Sequence, residues 1–181
     1  RAIRDVTPLD DAMTVEAGLT LLEAQQAATA AGRCFPLSLA AEGSATIGGV
    51  ISTNAGGTQV LRYGMMRDLV LGIEAVLPNG QVFHGLKRLR KDNTGYDLKQ
   101  LLIGAEGTLG VVTAATLKLF PIMRSRAVAI VALDTAAASV ELLARAKAET
   151  GGGVEAFELM KRLGMELVLK NIPDTLSLIH I

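Results

Sequence analysis

The stretch SATIGGVISTNAGG, Ser44–Gly57, holds four glycines, four hydroxyl side chains and one amide in fourteen residues. Glycine lets the main chain approach a ligand closely and adopt positive φ, and successive uncovered N–H groups form a concave anion-binding surface. Ser and Thr hydroxyls can donate to phosphate or ribose oxygens. These residues, called the first glycine segment below, therefore predict a nucleotide diphosphate lying along a loop; a tight structural loop is the alternative.

A second glycine-rich stretch, GAEGTLG at Gly104–Gly110, follows a short helix candidate at residues 96–103 and precedes a predicted strand. Taken alone, this second glycine segment is equally typical of a helix end followed by a strand-entry turn. Its occurrence together with the first segment favours a shared ligand site.

Composition and motifs exclude several classes of protein. The 18 basic and 18 acidic residues cancel, which argues against a nucleic-acid-binding surface. The phosphate-binding pattern G-x-x-x-x-G-K-[ST] is absent, so a kinase or ATPase is not expected. The longest purely apolar run, Ala127–Leu133, is too short to cross a bilayer.

The remaining chemical signals are weak. Gly151-x-Gly153-x-x-Ala156 matches a loose dinucleotide pattern, but it follows a helix and opens a strand, the reverse of the required order. His84 and His180 are far apart and Cys34 is the single cysteine, so we expect no metal site.

Hydrophobic periodicity and turn residues predict an alternation of strands and helices. Thr20 is expected to cap a helix that ends near Ala31, and Pro78-Asn79-Gly80 marks the turn of a hairpin. The other predicted elements are strands at residues 13–17, 111–120, 127–133 and 154–159 and helices at residues 135–149 and 160–170.

Six motifs occur in an order that resembles a known family: FPL at Phe35–Leu37, IGG at Ile47–Gly49, TNAGG at Thr53–Gly57, RYG at Arg62–Gly64, KDNTGYDL at Lys91–Leu98 and GAEGTLG at Gly104–Gly110. The chain resembles the FAD-linked oxidases of the vanillyl-alcohol oxidase superfamily, which have a PCMH-type FAD-binding domain. Within it, the resemblance is to the branch of D-2-hydroxyglutarate dehydrogenase, FAD-type D-lactate dehydrogenase and the glycolate oxidase flavin subunit.

The resemblance implies an α+β fold. Residues 1–123 would form the second subdomain of the FAD-binding domain, without the upstream pyrophosphate loop. Residues 124–181 would begin the α+β substrate, or cap, domain. The chain would thus be a fragment without the segments that hold the catalytic base, so no catalytic residue is predicted, and the tail Ser177–Ile181 no longer follows the family.

The resemblance also implies the cofactor, FAD, and its contacts. The first glycine segment would line the pyrophosphate, ribose and flavin edge, the second would close over the cofactor, and the backbone near Val111 would approach the adenine. We expect the cofactor to contact Ser44, Thr46, Ile47, Gly48, Gly49, Thr53, Asn54, Ala55, Gly56, Gly57, Tyr63, Gly64, Glu106, Gly107, Gly110, Val111 and Val112.

The implied reaction is oxidation of a D-2-hydroxy acid, such as D-2-hydroxyglutarate, D-lactate or glycolate, to the 2-keto acid by hydride transfer to FAD. An external quinone or electron-transfer flavoprotein would accept the electrons, and a homodimer is compatible with the family. We expect a cytoplasmic location, with peripheral membrane association left open and a mitochondrial location if the protein is eukaryotic. The alternatives are another flavin oxidase acting on a sugar or alcohol, and an inactive truncated fragment.

Overall fold

The computed structural model of the chain describes residues 1–173. The chain divides into two compact units, Arg1–Val128 and a second that begins at Ala129. The division falls within a few residues of the predicted domain boundary; the assignment of the two parts to a cofactor domain and a cap stays a prediction. His180 and the tail Ser177–Ile181 lie outside the described residues.

An antiparallel sheet forms the centre of the first unit. Its strands are β1 (Ile3–Thr7), β2 (Ala12–Glu16), β4 (Val70–Val76), β5 (Val82–Gly85) and β6 (Val111–Lys118), in the spatial order β1-β2-β6-β4-β5. A 3-10 turn, Pro8–Asp10, joins β1 to β2, and a separate pair is formed by β3 (Arg33–Cys34) and β7 (Phe120–Pro121). The predicted hairpin is confirmed, since β4 and β5 pair antiparallel across the Pro78–Gly80 turn.

Short helices connect these strands. They are α1 (Leu21–Ala30), α2 (Ile47–Ser52), α3 (Val60–Tyr63), α4 (Met66–Leu69) and α5 (Lys99–Leu102). The start of α1 confirms the prediction from Thr20, whose hydroxyl accepts from the Glu23 N–H while the Glu23 carboxylate accepts from the Thr20 N–H. This reciprocal cap satisfies two N–H groups that a helix start otherwise leaves without partners.

The core of the unit lies between one face of the sheet and the helices α1 and α2. Val15, Ala115 and Ile73 are paired neighbours on β2, β6 and β4, and all three are fully buried. Leu21 of α1 and Ile51 of α2 belong to the same cluster. This packing fixes the position of α2, which carries part of the candidate site.

The opposite face of the sheet carries polar side chains. The Glu74 carboxylate accepts from both terminal nitrogens of Arg4 at 3.3 Å and from the Thr113 hydroxyl at 2.8 Å. These donors favour the charged carboxylate, so the pKa of Glu74 lies below its usual value, with Arg4 as the main cause.

The second unit contains α6 (Ala136–Glu149) and α7 (Arg162–Asn171). The predicted helix at residues 135–149 is confirmed, with the Thr135 hydroxyl accepting from the Ala138 N–H at its start. The strands predicted at residues 127–133 and 154–159 are wrong: both stretches are irregular, and no described strand pairs with them. Their β-favouring composition does not suffice, because a strand is stable only beside a hydrogen-bonded neighbour. Among the helices of residues 1–173, none is long and apolar enough to span a bilayer.

Candidate functional site

The first glycine segment contains a helix, which corrects the expectation of a continuous loop. Thr46 has extended backbone angles, and its hydroxyl accepts from the Gly49 N–H at 3.2 Å, which starts α2 at Ile47. Ile47, Val50 and Ile51 are buried beneath the helix. The helix therefore owes its stability to this cap and to burial of one face, since glycine and β-branched residues are poor helix formers in isolation.

The start of α2 is hydrogen-bonded to the residues that follow β2, and these bonds engage amide groups that were expected to face a ligand. The Ile47 N–H donates to Leu19 O, and the Gly48 N–H donates to Ala17 O, each at 2.8 Å. A Cβ atom placed on Gly48 would lie 2.8 Å from the Ala17 Cβ. Gly48 is thus required for contact between protein segments, and its N–H is already engaged.

The turn after α2, residues 53–57, differs from the start of the helix in how its backbone N–H groups are engaged. Asn54 adopts a left-handed conformation with φ 47°, and its side-chain oxygen accepts from the Arg67 N–H at 2.9 Å. Within residues 1–173, the N–H groups of Gly56 and Gly57 donate to no protein acceptor. Two successive amides are therefore available to an anion or another acceptor.

The second glycine segment lies against the end of α2. The Gly104 N–H donates to Ile51 O at 3.1 Å, and the Glu106 N–H donates to Ser52 O at 3.0 Å. These bonds satisfy carbonyl groups that the end of a helix leaves without intrahelical partners. The structure therefore brings the two glycine segments into direct contact, while the shared ligand site that their joint occurrence favours stays a prediction.

The backbone adopts unusual φ angles where the two segments meet. Glu106 is left-handed with φ 49°, as Asn54 is, and these are two of the few non-glycine residues with positive φ within residues 1–173. Such conformations cost free energy and are concentrated at binding and catalytic sites. Gly107 follows Glu106 with φ 82°, and its N–H also has no protein acceptor among the described residues.

The other predicted contact residues have different surroundings. Ser44 is exposed, and its hydroxyl lies 3.4 Å from Ala41 O. The Tyr63 ring is buried edge-on against Phe120, with ring centroids 4.8 Å apart. Val111 is 65% exposed at the start of β6, whereas Val112 is 7% exposed.

The last members of the predicted set are used for turns and close contacts. The Thr53 hydroxyl donates to Gly49 O at 3.0 Å, and the Ala55 carbonyl accepts from the Met66 N–H at 2.9 Å. Gly64 is left-handed at the end of α3, and Gly110 lies against Val76 O, which a Cβ atom would approach to 2.8 Å. These residues shape the backbone of the site, and their direct contact with a cofactor stays a prediction.

Sequence reasoning missed one residue of this region, Arg67. Its guanidinium donates to Gln100 O at 2.8 Å, to the Gln100 side-chain oxygen at 2.6 Å and to Ile103 O at 2.7 Å. Within residues 1–173 it forms no ion pair with a carboxylate. In the sequence, Arg67-Asp68 resembles an ordinary solvated charge pair, so no local pattern marks it.

These features agree with the requirements of an FAD pyrophosphate. A diphosphate needs N–H donors and a positive environment. The turn of the first segment supplies Gly56 and Gly57, the second supplies Gly107, and Arg67 lies at their junction without a neutralising carboxylate. The residues present therefore fit the cofactor. No set of three or more His, Cys, Asp or Glu side chains within residues 1–173 is arranged to hold a metal ion.

Comparison with known proteins points to the same cofactor. Residues 1–85 match the model of the family described as FAD binding domain. The chain is 39% identical over 172 residues to the D-2-hydroxyglutarate–pyruvate transhydrogenase DLD3 of Saccharomyces cerevisiae, covering 95% of this chain and 35% of the relative. It is 45% identical over 156 residues to the mitochondrial D-2-hydroxyglutarate dehydrogenase of Bos taurus, covering 86% of this chain and 29% of the relative.

A bacterial relative, the D-2-hydroxyglutarate dehydrogenase of Xanthomonas citri pv. viticola, is 38% identical and covers 91% of this chain and 34% of its own. The chain thus spans about a third of the length of the curated relatives it matches. Among solved structures, alkyldihydroxyacetonephosphate synthase superposes with a TM-score of 0.61 at 22% identity, over 68% of this chain and 22% of that one, which shows a shared fold. The resemblance drawn from the motifs is confirmed, since residues 1–85 match the model of FAD binding domains and relatives at 38–45% identity are named for D-2-hydroxyglutarate.

Proposed function

We propose that this chain supplies part of the FAD site of an oxidoreductase that converts a D-2-hydroxy acid to the corresponding 2-keto acid. The observation that carries the proposal is the contact between the two glycine segments, which leaves the N–H groups of Gly56, Gly57 and Gly107 free of protein acceptors within residues 1–173. Relatives named for D-2-hydroxyglutarate, at 38–45% identity, support the substrate class.

The residues of this chain bind and orient in this proposal. The amides of Gly56, Gly57 and Gly107 donate to the pyrophosphate, and Thr46 and Asn54 hold the surrounding backbone in place through the hydrogen bonds they accept. When bound, FAD would supply the redox chemistry, the acceptance of a hydride from Cα of the substrate. No residue of this chain is assigned as the base for the hydroxyl proton of the substrate.

The electron acceptor, the oligomeric state and the compartment belong to the same proposal. We expect an external quinone or electron-transfer flavoprotein as the acceptor, and a homodimer as the assembly. The expectation of a cytoplasmic location finds no support in the names of the relatives, since those of Bos taurus and Arabidopsis thaliana are named mitochondrial. We propose a mitochondrial location if the source is a eukaryote.

The proposal is tested in two steps. Titration of the chain with FAD, followed by the visible absorption band and by quenching of flavin fluorescence, measures binding directly. The full-length protein, loaded with FAD, is then mixed anaerobically with D-2-hydroxyglutarate, D-lactate and glycolate. Bleaching of the flavin band by at least one of these acids is expected.

The alternatives give different results in the same assays. If only sugars or alcohols bleach the flavin band, the proposed substrate class is wrong and the proposed cofactor is retained. FAD binding by the full-length protein but not by the 181-residue chain would favour an inactive fragment. Failure of both to bind FAD would refute the proposal.

A further inference from the structure

Arg67 connects two parts of the candidate site that are distant in sequence. Its backbone N–H donates to the Asn54 side chain at 2.9 Å, and its guanidinium donates to the carbonyls of Gln100 and Ile103 at 2.8 and 2.7 Å. Asn54 lies in the turn of the first glycine segment, and Ile103 directly precedes the second. One residue thus bridges the two segments.

These bonds close a ring of contacts. From Ile103 the chain continues to Gly104, whose N–H donates back to Ile51 O at 3.1 Å, and from Ile51 it continues to Asn54. A Cβ atom on Gly104 would lie 3.3 Å from the Asn54 Cβ and 3.4 Å from Arg67 Nη2. The segments are therefore closely apposed beside Arg67, which binds Asn54 in the first segment and Ile103 directly before the second.

The shape of arginine is essential to this arrangement. The planar guanidinium presents several N–H groups in a fixed fork, which allows Nη1 and Nη2 to reach two carbonyls at once. A lysine has the same charge but concentrates its donors on one nitrogen at the end of a flexible chain. A lysine at this position is therefore not equivalent.

We infer that Arg67 is a positioning residue that holds the second glycine segment against the first and thereby positions the candidate FAD site. The link to FAD rests on the proposed function, whereas the contact between the segments does not. The simpler role is that Arg67 only satisfies carbonyls at the end of α5, in which case its loss would not alter the second segment or cofactor binding.

The test compares Arg67→Met and Arg67→Lys with a matched control, Arg33→Met. Arg33 likewise donates to a carbonyl, Pro8 O, at 3.1 and 2.7 Å from Nε and Nη2, and it pairs with Asp11 at 2.6 Å. It contacts neither glycine segment through these bonds. All variants are made in the full-length protein, and folding is checked by circular dichroism.

The first readout is amide hydrogen exchange of residues 104–106 without FAD. We expect exchange at least about tenfold faster in both Arg67 variants, because each loses charge-assisted hydrogen bonds, and no change in Arg33→Met. Wild-type exchange in Arg67→Met would overturn the inference. Slow exchange in Arg67→Lys, as in the wild type, would overturn the role assigned to the planar guanidinium.

The second readout is the FAD dissociation constant. We expect an increase of about ten- to a hundredfold in both Arg67 variants, the equivalent of losing one charge-assisted hydrogen bond, and less than twofold in Arg33→Met. Faster exchange at residues 104–106 with an unchanged dissociation constant would overturn the link to the candidate FAD site. If the wild-type protein itself does not bind FAD, the proposed function fails, while the exchange result still decides the contact between the segments.

If Arg67→Met does not fold, Gln100→Leu serves in its place. It removes the side-chain oxygen that accepts from Nη1 at 2.6 Å and leaves the two backbone acceptors. We expect a smaller acceleration of exchange at residues 104–106, of about twofold to tenfold. Unchanged exchange in this variant would overturn the inference.

Discussion

Replacement of Gly57 by alanine tests how closely the first glycine segment is packed. A Cβ atom at this position would lie 2.3 Å from Ser38 O and 3.1 Å from Ser38 C and N, all of them backbone atoms. Because no flexible side chain can move aside, the main chain at residue 38 or 57 has to shift. Overpacking of this kind costs about 1–3 kcal/mol.

The same shift breaks a hydrogen bond. The Thr58 N–H donates to Ser38 O at 3.2 Å, and losing it costs about 1 kcal/mol. We therefore expect Gly57→Ala to lower the free energy of unfolding by about 2–4 kcal/mol. Urea unfolding followed by far-ultraviolet circular dichroism, without FAD, measures this difference.

The neighbouring glycine provides a matched control. A Cβ atom on Gly56 would meet only the side-chain ends Val60 Cγ2 at 3.4 Å and Met65 Cε at 3.5 Å, which are ordinary contacts. Gly56→Ala should change stability by less than about 1 kcal/mol, and the reduced entropy of the unfolded chain favours a small gain. Equal destabilisation by the two substitutions, or a Gly57→Ala protein as stable as wild type, would show that close packing against Ser38 does not limit residue 57.

Three further outcomes are expected. Thr46→Ala removes the hydroxyl that accepts from the Gly49 N–H and should cost about 1 kcal/mol in urea unfolding without FAD; an unchanged midpoint would show that α2 does not depend on its cap. The pKa of Glu74 is lowered in the folded state, so its contribution to stability is present above its unfolded pKa, near 4.5, and is lost as the pH falls through the lower folded value. Glu74→Gln should therefore flatten the loss of stability below about pH 4.5. An unaltered dependence of stability on pH in this acid range would contradict this expectation. FAD at a hundred times its dissociation constant should stabilise the full-length protein by about 2.7 kcal/mol, seen as a higher melting temperature, and no shift would mean that the folded state does not bind it.

Local sequence signals predicted those elements whose ends are fixed by their own residues. The Thr20–Glu23 cap marks α1, Thr135 marks the start of α6, and the Pro78–Gly80 turn fixes the hairpin. In each case the deciding hydrogen bonds or turn geometry join residues a few positions apart. The glycine segments were also recognised, because their composition is unusual for any structural loop.

Elements that depend on distant residues were not predictable in this way. Helix α2 has a composition that disfavours helix, and it forms because Gly48 can approach Ala17 and because Ile51 is buried. Conversely, the apolar run Ala127–Leu133 has the composition of a strand, yet no described strand pairs with it. Arg67 escaped notice because its partners, Gln100 and Ile103, are more than thirty positions away.

We propose that the two glycine segments form one FAD site through the amides they leave free. Hydrogen–deuterium exchange of the full-length protein with and without FAD tests it directly. FAD should slow exchange at Gly56, Gly57 and Gly107, while Gly48, whose N–H already donates to Ala17 O, should change little. Saturable FAD binding with unchanged exchange at those three amides would contradict the account.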